Sequence, residues 1–349
     1  MKKGYTTGLN SRDFLACIRD HVVLFDGAMG TMIYERGVYV NQCYDALNIQ
    51  KPDLILGIHR DYADAGADVL TTNTFGANRF LLKKYGYEER TAEINRKGAE
   101  LARQVAGGQL FVAGSMGPPP DRMEPLGKLT SREIREAYHE QAEALLQGGA
   151  DILILETFSD LGMILEIIRE IKRSFPQVPL IGQMTVDKEG RTSLGSTPEI
   201  FALEIVRAGA DVVGTNCSLG PSKMLDVAER IFRISPIPVS AMPNAGVPQR
   251  VDGRNIYFSS PEYFSEYTRR FVQVGVRIVG GCCGTTPDFI WSMRNALKSI
   301  QPRKRIEITS LPPQHDENVD LIPTAKKSRL AEKMSRGEFV TTVEIAPPQ

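Results

Sequence analysis

The chain has 349 residues, with 42 basic against 42 acidic side chains, so its formal net charge is zero and nothing favours a nucleic-acid or membrane-surface partner. A composition of 42% hydrophobic and 24% charged residues is that of a soluble globular protein, no apolar run nears the length of a membrane span, and the basic start lacks the apolar core of a signal peptide. Five cysteines, at 17, 43, 217, 282 and 283, are too few and too odd in number for a disulfide framework, which points to a reducing, cytoplasmic compartment.

Residues 11–20 read as a short helix leading into V-V-L-F-D-G-A-M-G-T at 22–31, an apolar strand that ends in an acid and a glycine turn. A helix is expected over 53–66, a strand at 69–75, a helix at about 91–106 and a strand at 110–118. The Pro- and Gly-rich stretch 116–130 reads as a loop able to cover a site. A helix over 131–148 opens on Ser131 as its cap, before Glu133. Strands at 152–158, 179–186, 212–217 and 238–246 alternate with helices at 161–174, 198–208, 222–234 and 261–274. V-R-I-V-G-G-C-C-G-T-T-P at 276–287 is the eighth strand with its turn, and a helix over 287–299 follows it.

Every strand is followed by a helix, and the strands are near-continuous apolar runs, as in a parallel sheet covered on both faces. A-G-A-D at 65–68 returns as G-G-A-D at 148–151, A-G-A-D at 208–211 and V-G-V-R at 274–277, each before an even-numbered strand. The glycine suits a helix C-terminus. Eight such units predict an α/β protein with one closed (β/α)8 barrel over residues 1–300, whose active site lies at the C-terminal strand ends. Asp26, Asn73, Glu156, Cys217, Asn244 and the pair Cys282–Cys283 all fall there.

Two adjacent cysteines on a straight strand point to opposite faces, so for both sulfurs to meet one metal the backbone must twist, which Gly281 and Gly284 permit. With Cys217 they form a three-thiol set suited to a catalytic zinc with an open position. Zinc so ligated would hold a further thiol as a thiolate that remains nucleophilic, the chemistry of alkyl transfer to sulfur. Asp26 and Glu156 suit a substrate ammonium, and the turn beginning at Gly27 suits a carboxylate. Together these describe an amino acid bearing a thiol. The alternative is a redox protein using a vicinal Cys282–Cys283 disulfide. None of the four histidines is assigned to the metal.

D-G-A-M-G-T (26–31), T-N-T-F (72–75), L-E-T-F (155–158), T-N-C-S-L-G-P (215–221), P-N-A-G (243–246) and G-G-C-C-G-T-T-P (280–287) together resemble the zinc-dependent homocysteine S-methyltransferases. The resemblance implies a TIM barrel, Zn2+ on Cys217, Cys282 and Cys283, methyl transfer to homocysteine to form methionine, and contacts from Asp26 and Glu156 to the homocysteine amino group. Substrate contacts are expected at Gly27, Asn73 and Asn244 as well. P-N-A-G resembles the homocysteine module of cobalamin-dependent methionine synthase, which implies that Asn244 occupies the open zinc position until homocysteine displaces it. Betaine-using members carry aromatic residues where this chain has Thr157 and Gly76, which disfavours betaine. S-adenosylmethionine, S-methylmethionine and methyltetrahydrofolate remain as donors.

After residue 300 the character changes. Residues 301–327, with Pro302, Pro312, Pro313 and Pro323 among many charges, read as a linker. Residues 328–349 read as the start of a second domain. V-E-I-A-P-P at 343–348 resembles the opening strand of methylenetetrahydrofolate reductase, which implies a bifunctional parent with a fused reductase, and FAD only in that missing part.

Overall fold

The computed structural model describes residues 13–39, 41–246, 249–251, 254–300, 329, 332–333 and 336–339. In chain order the strands are β1 (Val23–Leu24), β2 (Val69–Thr71), β3 (Phe111–Met116), β4 (Ile152–Phe158), β5 (Leu180–Met184), β6 (Val212–Asn216), β7 (Val239–Met242), β8 (Gln249–Val251), β9 (Arg254–Ile256) and β10 (Ile278–Val279). The helices are α1 (Phe14–Asp20), α2 (Met29–Glu35), α3 (Leu47–Gln50), α4 (Pro52–Asp64), α5 (Arg79–Leu82), α6 (Thr91–Ala106), α7 (Ser131–Gln147), α8 (Leu161–Ser174), α9 (Pro198–Arg207), α10 (Pro221–Ile234), α11 (Pro261–Val274) and α12 (Pro287–Leu297).

Eight strands pair in parallel in the order β1-β10-β7-β6-β5-β4-β3-β2, and a bridge from Phe25 to Val69 joins the two ends into a nearly closed barrel. This is the expected (β/α)8 architecture. Side chains alternate along each strand. Val23, Phe25, Val69, Phe111, Ala113, Ile152, Ile154, Ile181, Val212 and Ile278 fill the barrel interior, while Leu24, Leu70, Val112, Leu153, Leu180, Val213 and Val239 pack outward under the helices. The N-terminal helix α1 joins the inner cluster through Phe14, Cys17 and Ile18, and its ring Phe14 meets Phe111 edge to face at 5.4 Å. Cys17 is thus a small apolar plug, and burial pushes its thiol up to about 11. Phe14→Ala is expected to destabilise the barrel by about 3–5 kcal/mol without touching the site, measurable by urea unfolding with an unchanged slope.

The repeated Gly-Ala-Asp motif has a structural meaning. Gly66, Gly149, Gly209 and Gly275 all adopt positive φ, of 96°, 97°, 103° and 109°, closing their helices in the left-handed conformation. The aspartates that follow stitch the bottom of the barrel. Asp68 accepts the Leu24 N–H, Asp151 that of Val112 and Asp211 that of Leu180, each at 2.8 Å. Each is also paired with a cation from a helix, namely Arg294, Arg103 and Lys172.

Three local readings change. The helix over 131–147 is capped by Thr130 with Glu133 in a reciprocal capping box, so Ser131 is its first residue and not its cap. The expected glycine turn after β1 is shorter than read, because the chain re-enters a helix, α2, at Met29. Between β7 and α11 the chain forms a hairpin, β8 with β9, that no periodicity announced.

The chain divides into two units, Met1–Ile308 and Thr309–Gln349. The linker expected at 301–327 lies outside the described residues, as do 340–349 with V-E-I-A-P-P. Among the described residues no helix is long and apolar enough to cross a membrane.

Candidate functional site

Inward positions of the barrel change character as the strands rise. On β4 the series runs Ile152, Ile154, Glu156; on β3 Phe111, Ala113, Ser115; on β5 Ile181 then Gln183. The apolar interior therefore ends in a polar floor at the C-terminal mouth, where Ser115 donates to Glu156 and Gln183 to Ser240.

Three sulfurs sit at that mouth. Cys217 follows β6 in the left-handed region, with φ 59°, and Ser218 after it has φ 58°. Such a conformation is uncommon outside glycine and re-aims the side chain inward. The Cys282 N–H donates to Pro243 O at 2.8 Å, and the Ala245 N–H to Cys283 O at 2.9 Å, so the pair is laced to the end of β7. Gly284 supplies the expected twist with φ 80°. Gly281 serves a different purpose, since a Cβ there would lie 2.2 Å from Thr285 Oγ1. The sulfurs of Cys217, Cys282 and Cys283 all lie within 4.8 Å of one another, and Cys217 and Cys283 are 3.9 Å apart. Hydrogen bonds from Cys217 and Cys282 hold the Cys283 thiol far below the usual range, so the cluster favours a thiolate. Among the described residues this is the group of His, Cys, Asp and Glu side chains close enough to hold a metal.

Asn244 lies between the two backbone bonds that tie β7 to the cysteine pair. It is buried, and among the described residues its Oδ1 has no hydrogen-bond partner. An unpaired buried carbonyl oxygen costs about 1–3 kcal/mol, and three thiols this close together form a donor set that fits zinc with a further position open.

The two acids occupy the same mouth. Asp26 is buried, and its carboxylate accepts the Thr71 N–H and Thr71 hydroxyl, both at 2.7 Å. Burial still pushes it up to about 7. Glu156 is partly accessible as a residue, yet its carboxyl lies deep enough for burial to push it up to about 7, with Cys283 adding to the rise. Among the described residues neither acid has a basic side chain in ion-pair range. Two desolvated carboxyls without a cation form a site that gains when a cation enters.

Gly27 packs against the turn after Cys283, where a Cβ would come 2.8 Å from Thr285 Oγ1. Asn73 donates its amide to Tyr44 O at 2.7 Å and to Asn48 Oδ1 at 3.1 Å, which ties α3 and the segment before it to the stretch after β2. The loop 117–130 walls one side of a cavity of about 290 Å³ whose other side is Phe158, Ser159, Asp160 and Met163, from the end of β4 into the first turn of α8.

Two residues at the site escaped sequence reasoning. Tyr257, just after the hairpin, hydrogen-bonds Cys283 and packs on Gly284, where a Cβ would meet its ring at 2.4 Å. Asn216 precedes Cys217 and bridges β6 to β4 through its side chain. T-N-C held Asn216 in plain sight, but nothing local tells a strand-end asparagine that reaches past the adjacent strand to the next from one that satisfies its own backbone.

The homocysteine S-methyltransferase family profile matches residues 23–297. The chain is 34% identical over 314 residues to a methionine synthase of Mycobacterium tuberculosis, covering 85% of this chain and 26% of that protein. It is 34% identical over 295 residues to the methionine synthase of Mycobacterium leprae, covering 80% and 24%. The chain thus spans about a quarter of the length of these relatives. In fold it is similar to the Escherichia coli homocysteine methyltransferase MmuM, with a TM-score of 0.66, 22% identity and coverage of 79% of this chain and 96% of that one for the metallated form.

Proposed function

Because the chain belongs to the homocysteine S-methyltransferase family, we propose that its barrel transfers a methyl group to the thiol of homocysteine, forming methionine. The observation that carries this reading is the convergence on one mouth of three thiols and two desolvated carboxyls that have no basic partner among the described residues. Cys217, Cys282 and Cys283 would hold zinc, with Asn244 as the displaceable fourth ligand. Bound there, zinc would keep the substrate sulfur as a thiolate at neutral pH, where a free thiol with pKa of about 8.5 is mostly protonated.

The chain's own groups bind and orient. Asp26 and Glu156 each accept a hydrogen bond from the substrate ammonium, and that contact offsets their desolvation. The backbone at Gly27 approaches the substrate carboxylate. In the transfer the sulfur lone pair forms the new S–CH3 bond, and the electron pair of the breaking bond leaves with the donor. S-adenosylmethionine, S-methylmethionine and methyltetrahydrofolate, the last directly or through a corrinoid, are the donor candidates. Residues 301–327 are read as a linker and 328–349 as the start of a reductase domain that would carry FAD.

Cys283 has a cross-strand partner at 3.9 Å in Cys217, which favours a metal cage over the vicinal Cys282–Cys283 disulfide of a redox protein. The test is a donor panel on the zinc-loaded chain. Methionine is expected from homocysteine with at least one of the donors named, or with methylcobalamin. No methionine with any of them, or full turnover after zinc is stripped, overturns the reading.

A further inference from the structure

Asn216 ends β6 and is fully buried. Its Oδ1 accepts the Thr157 N–H at 2.8 Å, and its Nδ2 donates to Thr157 Oγ1 at 2.8 Å. The same Nδ2 lies 3.4 Å from Glu156 Oε2 and 3.9 Å from Cys282 Sγ. An amide nitrogen carries two hydrogens. One goes to Thr157, and the other faces the gap between the acid and the sulfur.

The Thr157 contacts are unusual. Thr157 has φ 64°, a genuine outlier for a β-branched residue. It lies where the pairing of β4 with β5 slips between Leu155 and Phe158. A bulge of this kind bends the strand and re-aims a side chain. Glu156, inward by the alternation of β4, immediately precedes this outlier, and the two-point clamp from Asn216 holds the bulge from β6, across the intervening β5. Glu156 is gripped at both oxygens, Oε1 by Ser115 and Oε2 by Asn216.

We propose that Asn216 is a positioning residue for Glu156: it presets the carboxylate that reads the substrate's amino group and does so from the residue next to Cys217. This rests on the reading of Glu156 as an ammonium contact. The rival account is a strut that merely pays the strain at Thr157.

Thr157→Gly separates the two, because glycine adopts positive φ without cost and leaves no strain for Asn216 to offset. Binding is measured by calorimetry on the zinc-loaded chain for homocysteine and for 4-mercaptobutanoate, which keeps thiol and carboxylate but lacks the amino group. The wild type is expected to prefer homocysteine by about tenfold or more, the worth of a hydrogen bond to a charged group. Asn216→Ala should cut that preference by about tenfold while affinity for 4-mercaptobutanoate holds. Thr157→Gly alone should keep the preference, and the double variant should stay low. The double variant also carries the test if Asn216→Ala alone does not fold. A crystal structure of the metal-free double variant should show the Glu156 carboxyl displaced. Restored preference in the double variant, or equal loss of both ligands in Asn216→Ala, overturns the proposal. A wild type without preference overturns the reading of Glu156 and this inference with it.

Discussion

Replacing Cys282 with alanine is expected to abolish stoichiometric zinc binding and to lower methionine formation by more than about a hundredfold, since even outer-shell partners of a metal ligand are worth 10–100-fold. The fold should survive. The Cys282 side chain contributes nothing to the apolar core, and its loop stays anchored by the backbone bonds from Cys282 N to Pro243 O and from Ala245 N to Cys283 O. Metal content by elemental analysis and far-UV circular dichroism together check this. A variant that holds one zinc per chain and turns over normally would remove the three-thiol site from the mechanism. Cys43→Ala is the internal control. Its buried thiol, pushed up to about 11 by burial, belongs to a separate apolar cluster with Ala46, Ala77, Leu82 and Ile94. That change should leave zinc content untouched.

The second large effect is expected at Asp26. Its carboxyl titrates at about 7 in the folded chain because burial disfavours the charge, against 3.8 unperturbed. The folded state therefore binds a proton more readily than the unfolded one. The stability this contributes is complete below about pH 3.8 and is lost as pH rises through about 7. Between about pH 4 and 7 the ligand-free, metal-free chain should become less stable from this group, and Asp26→Asn should flatten that slope in thermal melts. Ligand binding runs the other way. An ammonium needs the ionised carboxylate, so homocysteine affinity should fall as pH drops below about 7. Asp26→Asn should weaken homocysteine about 10–100-fold at pH 8, as for a lost charge-assisted hydrogen bond. It should spare 4-mercaptobutanoate. Equal weakening of both ligands would place Asp26 in the scaffold alone, where its bonds to Thr71 at 2.7 Å join β1 to β2.

Much of the site's architecture is written in short range. Gly66, Gly149, Gly209 and Gly275 mark helix ends because only glycine takes φ near 100° without strain, so their spacing is legible as a unit repeat. The apolar runs of β3 to β7 are legible because both faces are covered. Gly284 beside the cysteine pair is legible for the same reason as the helix-end glycines, and its φ of 80° bears that out. The start of α2 was hidden by Gly27 and Gly30, which read as a turn because glycine is costly in a helix interior. There, packing of Met32 and Ile33 into the outer core outweighs propensity.

The sequence alone determines the eight β/α units, the strand-end placement of Asp26, Glu156 and the three cysteines, and the thiol chemistry they allow. These follow from periodicity, glycine conformation and residue type, which act over a few neighbours. Only the tertiary structure decides which side chains meet. It brings three sulfurs within 4.8 Å, leaves Asn244 Oδ1 without a partner among the described residues, lays Tyr257 over Gly284 and sends the Asn216 amide across to the bulge at Thr157. Those contacts join residues far apart in the chain. Their geometry is set by barrel closure and by the register between neighbouring strands, and a one-residue slip would turn each of them to the opposite face.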